Sequence, residues 1–473
     1  MVVKNSENIL KVLFAYNGWW ISGEVPKELL RKYKRRVFHE ANNALNHKDV
    51  RRHVILCGAR RTGKSTAMYQ TVDLLLAGGT EPRSILLFSF DHPLLKMCSI
   101  EEILEVYKQS VFSGEMPTIF IDEIQYGENW ESYLKIIYDI SPKTKVMATG
   151  SASSAISKKI KESGHGRWTA IAVPSLSFCE YLEITETPTP VLPVSNIDPL
   201  AFHELPVADQ TAIITGLSEL QAPFLQYVQK GGFPEISLSS DAIYSGKILR
   251  EDIVDRALKK DIPSVYDIRS TNDLERIFLY LCYNSGNLVN IEAISKELNG
   301  VSRITVEKYI SYLESANLIN ICKPVNLAGK SALKQQDKIY VADSSIRANV
   351  LMLGDVLTDP EELGVLVEGI CYAHIKNHFS ASGSSVGYFR TSGKGKEIDI
   401  VVHKNHRPEF LAEIKYRESA PIKEDDAIVA NCAFGKVNYV ITKRNQDYGV
   451  NYYKNGAQIY RIPVHVFLYL LGK

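Results

Sequence analysis

The sequence predicts a multidomain α/β protein whose first large domain is a parallel β-sheet covered by helices. Between residues 51 and 175, short apolar strands alternate with amphipathic helices, a pattern typical of such a sheet. A glycine-rich loop joins the first of these strands to a helix, and strand-like segments dominate after residue 331. At 473 residues, the chain is longer than a single hydrophobic core supports, so several domains are expected.

Composition excludes several classes of protein. The net charge of +1 gives no global basic field for nucleic acid, so any such contact must come from local patches. The seven cysteines form no C-x-x-C pair, which disfavours a zinc ribbon or a disulfide framework. The first residues lack the apolar core of a signal peptide, and no apolar run approaches the roughly 20 residues of a membrane span. We expect a cytoplasmic protein.

The predicted elements follow the chain in order. Residues 1–50 are mostly helical in pattern, 200–270 have a helical period, and 272–325 give three helices and a strand. Strands are predicted at 53–57, 84–90, 118–122, 145–149 and 170–173, and later at 338–341, 385–390, 398–402, 409–415 and 437–442. Helices at about 358–379 and 423–432 flank the later strands.

Residues 58–65 read Gly-Ala-Arg-Arg-Thr-Gly-Lys-Ser and match the phosphate-binding motif G-x-x-x-x-G-K-[ST] in full. The glycines let backbone N–H groups surround phosphate oxygens at the start of the following helix. Lys64 is expected at the β- and γ-phosphates of ATP, and the Ser65 hydroxyl at Mg²⁺. The alternative is a chance match, which the strand before the loop and the helix after it disfavour. The predicted nucleotide-binding residues here are Gly58, Ala59, Arg60, Arg61, Thr62, Gly63, Lys64, Ser65 and Thr66.

A second motif, Thr-Ile-Phe-Ile-Asp-Glu at 118–123, carries two carboxylates to the end of a strand, the sheet edge where ligands bind in such folds. Asp122 is predicted to contact nucleotide-bound Mg²⁺, and Glu123 to polarise the attacking water. The adjacent glutamate and the intervening strand at 84–90 indicate the ATPase branch of these folds, in which an added central strand is present.

Two further polar positions are candidates for the same site. Thr149 or Ser151, at the end of the next strand, is predicted to sense the γ-phosphate or the water, with a simple strand-to-turn junction as the alternative. Arg167 is predicted to neutralise transition-state charge, either in cis or from a neighbouring subunit. Its alternative is a surface charge.

These motifs resemble the archaeal-type AAA ATPases of prokaryotes. The resemblance spans about residues 17–445 and implies ATP binding, Mg²⁺ and a C-terminal domain of unknown function with a restriction-endonuclease-like core. An AAA-type core also makes homo-oligomers plausible. The matching residues are Ile-Asp-Glu-Ile-Gln at 121–125, Trp130, Asp139, Thr-Gly-Ser-Ala-Ser at 149–153, Gly166-Arg167 and Pro-Ser-Leu-Ser-Phe-Cys-Glu-Tyr at 174–181.

The helices around residues 291–298 and 303–316, followed by a strand, predict a winged helix-turn-helix, with Ser302 as N-cap of the second helix. The exposed face of that second helix is predicted to carry Arg303, Thr305, Glu307, Lys308 and Ser311. Such a helix reads DNA in the major groove, but winged helices also serve as protein-packing modules. Both alternatives stay open.

The C-terminal region carries a second set of acids. Glu368 lies in an apolar helix, Asp399 on one strand, and Glu413 with Lys415 on the returning strand, where period-two alternation puts both on one face. Carboxylates and a lysine at a sheet edge bind Mg²⁺ and activate water. The order resembles the PD-(D/E)xK nuclease superfamily, although Ile398 replaces the proline. The alternative is a cross-strand charge pair that only stabilises the sheet.

Two functions follow. The first is a cytosolic ATPase coupled to a DNA-directed C-terminal region that is a Mg²⁺-dependent nuclease if Glu368, Asp399 and Glu413 hold metal. The second is an ATP-driven switch that binds protein partners without cleavage. The predicted domains are an N-terminal helical segment (1–45), the ATPase core (46–200), a helical lid (201–270), the winged helix (271–330) and the nuclease-like domain (331–473).

Overall fold

A computed structural model describes residues 2–115, 117–151, 156, 166–194, 197–298, 300–327, 335–380, 382–391, 395–405 and 407–473. The chain divides into two compact units. The first comprises Met1–Pro174, Asp255–Arg269 and Ser315–Asn317, and the second comprises Ser175–Val254, Ser270–Glu314 and Leu318–Lys473. The five-domain division stays a prediction. Ala152 and Ser153, part of the motif after Thr149, lie outside the described residues.

The first unit is built on a five-stranded sheet in which every pairing is parallel. Its strands are β1 (His53–Cys57), β2 (Ile85–Ser89), β3 (Thr118–Asp122), β4 (Lys145–Gly150) and β5 (Trp168–Ala172), in the order β2-β3-β4-β1-β5. The predicted parallel sheet is confirmed, with strand bounds within two residues of those expected. β4 lies between β1 and β3 and is therefore the added central strand.

The helices of the first unit bury β1 to β4 on both faces. They are Val2–Tyr16, Trp19–Ser22, Arg36–Leu45, Lys64–Ala77, Ile100–Ser110, Trp130–Ile140, a π-helical turn at Ala257–Asp261 and Ile262–Val265. At the edge strand β2, the Asn17 side chain donates to the Leu87 carbonyl (2.7 Å) and accepts from the Leu87 N–H (2.6 Å). The edge is thus capped where it would otherwise present unpaired backbone groups.

The second unit contains a mixed eight-stranded sheet in the order β12-β13-β11-β10-β9-β8-β6-β7. Strands β8, β9 and β10 are antiparallel neighbours, whereas β10, β11 and β13 run parallel. The strands are β6 (Ile319–Pro324), β7 (Lys338–Val341), β8 (Ser385–Arg390), β9 (Glu397–Lys404), β10 (Arg407–Lys415), β11 (Val437–Thr442), β12 (Gly449–Tyr452) and β13 (Gln458–Pro463).

Helices complete the second unit. They are Phe178–Ile184, Val207–Leu217, Gln221–Lys230, Pro234–Leu238, Ala242–Ile248, Thr271–Tyr283, Ile291–Glu297, Arg303–Ser315, Ser344–Val350, Pro360–Ser380, Ala427–Ala430 and Val464–Gly472. The helix expected over 423–432 is wrong in extent, since the α-helix covers only Ala427–Ala430 and a 3-10 turn follows at Cys432–Phe434. β12, β13 and the helix Val464–Gly472 had not been predicted. No helix of the described part is long and apolar enough to cross a bilayer.

The three helices between residues 271 and 315 are followed by β6, as the sequence predicts. β6 pairs with β7 on one side and with β8 on the other, so it belongs to the eight-stranded sheet. The strand expected as a wing is therefore shared with the C-terminal region. A separate winged-helix module stays a prediction.

Candidate functional site

The phosphate-binding loop joins β1 to the helix Lys64–Ala77 and depends on two of its glycines. At Gly58, a Cβ atom would lie 2.2 Å from the Val173 carbonyl oxygen, so no side chain fits. Gly63, the residue before the helix, has φ +90°, a conformation that side-chain-bearing residues rarely adopt. The loop thereby delivers the free N–H groups of the helix start to one point, which favours an anion.

Lys64 is buried at the base of this loop. Its ammonium donates to the carbonyl oxygens of Gly58 (3.0 Å) and Ala59 (2.8 Å). Burial lowers the pKa of Lys64, while the carboxylates of Glu123 and Asp122 oppose that shift. The charge is therefore held close to where phosphate is expected, and both of these hydrogen bonds go to backbone oxygens.

Asp122 connects the loop to β3 and β4. Its Oδ1 accepts hydrogen bonds from the Ser65 hydroxyl (3.0 Å) and the Thr149 hydroxyl (2.5 Å). Burial raises the pKa of Asp122, and the adjacent Glu123 raises it further. A hydroxyl and a carboxylate side by side are hard oxygen donors, so Ser65 and Asp122 fit the coordination of Mg²⁺.

Glu123 is held in a left-handed backbone conformation with φ +52°, which costs a non-glycine residue on the order of 1–3 kcal/mol. Its N–H donates to the Thr149 hydroxyl (3.0 Å). Its carboxylate accepts from Gln125 Nε2 (2.5 Å) and lies 3.5 Å from Arg60 Nη1. Gln125 Nε2 also donates to Ser151 Oγ (2.9 Å). Thr149 and Ser151 thus both contact this acidic pair, Thr149 directly and Ser151 through Gln125.

Arg60, in the middle of the loop, carries a contact that the sequence did not reveal. Its Nε and Nη2 atoms bind the two carboxylate oxygens of Asp261 at 2.5 and 2.9 Å. The Tyr126 hydroxyl donates to Asp261 Oδ1 (2.7 Å) and accepts from Arg60 Nη2 (2.9 Å). The segment Asp255–Arg269 is thereby tied to the loop, although Asp261 lies 201 positions beyond Arg60.

A second contact on the loop was also missed. Arg35 Nη1 donates to the carbonyl oxygens of Thr62 (2.6 Å) and Pro174 (3.0 Å). Thr62 itself donates through its hydroxyl to the Ala59 carbonyl (2.9 Å), which closes the loop from within.

The cis role predicted for Arg167 is wrong. Arg167 precedes β5, and β5 runs parallel to β1, so Trp168 lies beside His53 at the start of β1. The phosphate-binding loop follows the other end of β1. The Arg167 side chain binds Asp139 (Nε to Oδ1, 3.0 Å) at that opposite edge. A contribution to a neighbouring subunit stays a prediction.

The C-terminal acids come together in the second unit. Asp399 on β9 accepts the N–H of Ile414 on β10 (2.8 Å), beside Glu413. Lys415 donates to Glu413 Oε1 (2.5 Å). Burial, followed by the like charges of Glu413 and Glu368, raises the pKa of Asp399 well above its usual value. The predicted acids and Lys415 are therefore close neighbours.

The metal set predicted from these acids is not assembled, because a lysine stands among them. Lys338 Nζ lies 2.9 Å from Glu368 Oε1 and 3.9 Å from Asp399 Oδ1, and it also contacts Glu397. Across the described part of the chain, no three histidine, cysteine, aspartate or glutamate side chains are grouped to hold a metal ion. The expectation that Glu368, Asp399 and Glu413 form a metal centre is therefore corrected.

The predicted recognition helix, Arg303–Ser315, presents a face of mixed charge. Arg303 Nη1 pairs with Glu292 Oε1 (2.7 Å). Glu307 and Lys308 are both exposed, and Ile304 is 66% exposed between them and Arg303. The face is thus charge-balanced, with an apolar residue in it.

Comparison with known proteins agrees with this geometry in the first unit. Residues 50–182 match the model of an AAA domain. Residues 221–356 and 363–464 match two domains of unknown function, DUF8612 and DUF4143. The matched loop, sheet and acidic pair define the class: the chain carries an AAA-type ATPase domain. The winged-helix and nuclease-like assignments stay predictions.

Two relatives are similar over most of their length. An uncharacterized protein of Haemophilus influenzae is 26% identical over 305 residues, which cover 63% of this chain and 68% of that protein. An uncharacterized protein of Methanocaldococcus jannaschii is 23% identical over 374 residues, covering 78% of this chain and 76% of that protein.

Solved structures give weaker similarity. The Aeropyrum pernix ORC1 protein in complex with DNA is 13% identical with a TM-score of 0.29, covering 68% of this chain and 92% of that chain. AMPPCP-bound DnaA from Aquifex aeolicus is 14% identical with a TM-score of 0.24, covering 60% and 88%. At these TM-scores, the likeness supports no conclusion about function.

Proposed function

We propose that this protein hydrolyses ATP at the loop of residues 58–65 and that the nucleotide state controls its C-terminal region. The observation that carries the proposal is the double contact of Asp122 with Ser65 and Thr149. It joins the phosphate-binding loop to the acidic pair of the sheet within one hydrogen-bonded site. A loop that only bound an anion would not need the neighbouring carboxylates of Asp122 and Glu123.

The side chains divide the work of phosphoryl transfer among them. Lys64 and the loop N–H groups bind the phosphates, and Ser65 with Asp122 would hold Mg²⁺. When bound, Mg²⁺ supplies positive charge against the phosphate oxygens. Glu123 orients the attacking water and takes its proton, and Thr149 fixes the backbone from which Glu123 projects.

Phosphate release from ATP in Mg²⁺ tests this proposal. We expect Lys64→Ala to lose tight ATP binding. Glu123→Gln should retain ATP binding but lose roughly 100-fold or more of its turnover, because the amide cannot accept a proton. Glu128→Gln, at an exposed position five residues on, is the matched control and should turn over normally. Unchanged turnover in Glu123→Gln would show that the water is positioned by another residue.

We further infer that the output of the ATPase is directed at a protein partner rather than at DNA. The mixed charge of the predicted recognition helix supports this inference, because DNA affinity requires uncompensated lysine and arginine. Arg303 is already neutralised by Glu292. The exposed Ile304 is better suited to a protein surface than to a phosphate backbone.

A DNA-directed nuclease is the second candidate, and the neighbouring Asp399, Glu413 and Lys415 favour it. Retention on plasmid, linear and branched DNA should be measured in apo, ADP and ATP states, with cleavage followed in Mg²⁺ and Mn²⁺. We expect neither nucleotide-dependent retention nor cleavage. Retention whose salt dependence weakens in Arg303→Ala/Lys308→Ala, or cleavage lost in Asp399→Ala, would favour the second candidate.

A further inference from the structure

The C-terminal acids form a buried cluster with a cation already inside it. We call Glu368, Glu397, Asp399 and Glu413, together with Lys338 and Lys415, the acidic cluster. Lys338, on β7, is only 5% exposed. Three of the four carboxylates face its ammonium group.

The surroundings fix the Lys338 ammonium in this position. Glu368 Oε1 accepts from both Lys338 and the Tyr340 hydroxyl, at 2.9 and 2.7 Å. The aromatic rings of Tyr340 and Tyr388 lie 5.7 and 5.9 Å from Nζ. Burial would lower the pKa of Lys338, but Glu368, Asp399 and Glu397 together raise it. The lysine therefore stays charged throughout the range in which proteins are stable.

We propose that Lys338 is a resident cation that takes the place of a divalent metal ion in the acidic cluster. Two of the three predicted metal ligands, Glu368 and Asp399, face this one ammonium. A metal ion bridging them would lie within a few ångströms of a positive charge that is already bonded to the same oxygens. The repulsion at that distance is several times the thermal energy even at an intermediate dielectric constant.

The remaining carboxylate is neutralised without metal as well. Lys415 binds Glu413 Oε1, while Glu413 Oε2 is buried without a hydrogen-bond partner among the described residues. Burial raises the pKa of Glu413 against the effect of Lys415. The acidic cluster contains four carboxylates and two ammonium groups, and burial raises the pKa of both Asp399 and Glu413.

Mn²⁺ binding to the full chain without nucleotide, followed by electron paramagnetic resonance, tests the proposal. We expect no Mn²⁺ site in the wild type that depends on Asp399. Lys338→Met removes the ammonium at similar side-chain volume, and should gain such a site with at least about tenfold tighter binding. Lys338→Met/Asp399→Asn should lose the gained site, and Lys338→Arg, which keeps the cation, should behave as the wild type.

Thermal unfolding supplies a second readout. Mn²⁺ should raise the Tm of Lys338→Met but leave the Tm of the wild type unchanged. A wild-type Mn²⁺ site that Asp399→Asn abolishes would overturn the proposal, and this comparison holds even if Lys338→Met does not fold. A folded Lys338→Met protein that gains no site would also overturn it.

This inference rests on the proposal that the C-terminal region binds a protein partner and does not cleave DNA. Different experimental results would contradict the two proposals. If Mn²⁺ binds at Asp399 and no DNA is cleaved, only the proposal that Lys338 replaces a metal ion is contradicted. DNA cleavage lost in Asp399→Ala contradicts the non-cleaving output. ATP turnover tests neither.

Discussion

Each of the two units holds a cation among acids, and the two cations make different contacts. In the first unit, the guanidinium of Arg60 binds Asp261 through two parallel hydrogen bonds and leaves Asp122 to Ser65 and Thr149. In the second unit, the ammonium of Lys338 lies among the acids expected to bind metal. The planar guanidinium of Arg60 directs two N–H groups at a single carboxylate, whereas the compact ammonium of Lys338 faces three carboxylates.

We expect this difference to separate a site that accepts a metal ion from one that excludes it. At the ATP loop, Arg60 binds Asp261, which is not a predicted Mg²⁺ ligand, and the Lys64 ammonium donates to backbone carbonyl oxygens rather than to Asp122. In the acidic cluster, the resident cation shares its oxygens with the predicted metal ligands. Similar groups of carboxylates therefore need not form similar sites. We infer that the position of the nearest fixed positive charge decides whether such a group binds a metal ion.

Removing the partner of Arg60 is expected to have the largest effect. In Asp261→Asn, the partly buried guanidinium loses its charged partner and should turn towards Glu123, which is already 3.5 Å away. We expect the free energy of unfolding of the first unit to fall by about 3 kcal/mol. The kcat for ATP should fall by about tenfold with KM unchanged, because the water-positioning carboxylate becomes paired.

Urea unfolding and steady-state phosphate release measure these two effects. Asp255→Asn is the matched control, because Asp255 pairs with Lys259 (3.1 Å) at the surface, where a pair contributes at most about 1 kcal/mol. If the folded Asp261→Asn protein has a normal kcat, Arg60 does not act on Glu123. Arg60 and Lys338 would then differ in the contacts they make but not in an effect on catalysis.

A smaller effect is expected at Thr149, which links Asp122 to Glu123. Thr149→Val preserves the shape of the side chain but removes one donor to Asp122 and the acceptor of the Glu123 N–H. Leaving buried polar groups unpaired should cost about 2 kcal/mol of unfolding free energy. Turnover should fall several-fold, and Thr149→Ser, which retains the hydroxyl, should restore it. Equal turnover in the valine and serine variants would contradict the linking role.

The local parts of both sites were predictable from sequence because each lies on one short segment. The spacing of residues 58–65, and the strand that ends in Asp122 and Glu123, predicted the loop and the acidic pair directly. Alternation along one strand likewise put Glu413 and Lys415 together. Such sequence patterns predict side-chain positions reliably because the local backbone alone fixes where neighbouring side chains lie relative to one another.

The resident cations were not predictable, because each meets its acids only through the fold. Arg60 and Asp261 are 201 positions apart, and Lys338 precedes Glu368 by 30 positions. Arg167 is a different case. It precedes the strand β5, and parallel strands begin at one edge and end at the other. Chain order therefore already argued against a role beside Lys64 in the same subunit.

The smallest effect is expected at a buried side chain that, unlike Arg60 and Lys338, has no polar partner in the described part of the chain. His465 is fully buried, and neither ring nitrogen makes a hydrogen bond to the described residues. Burial lowers the pKa of His465 to about 4, below the value of about 6.5 expected for an unfolded chain. The unfolded state therefore gains a proton first as pH falls, and stability is lost from about pH 6.5 down to about pH 4.

His465→Leu should remove this part of the acid sensitivity. Between pH 7 and pH 5, we expect the variant to lose about 1–2 kcal/mol less unfolding free energy than the wild type. Urea unfolding of the second unit at both pH values measures the difference, and the exposed His39→Leu is the control that should leave it unchanged. If the wild type and His465→Leu lose the same unfolding free energy between pH 7 and pH 5, His465 is not a neutral, isolated side chain in the fold. The acid sensitivity would then arise elsewhere, with the raised pKa values of Asp399 and Glu413 opposing it, because carboxyl groups that hold their protons in the fold favour folding at low pH.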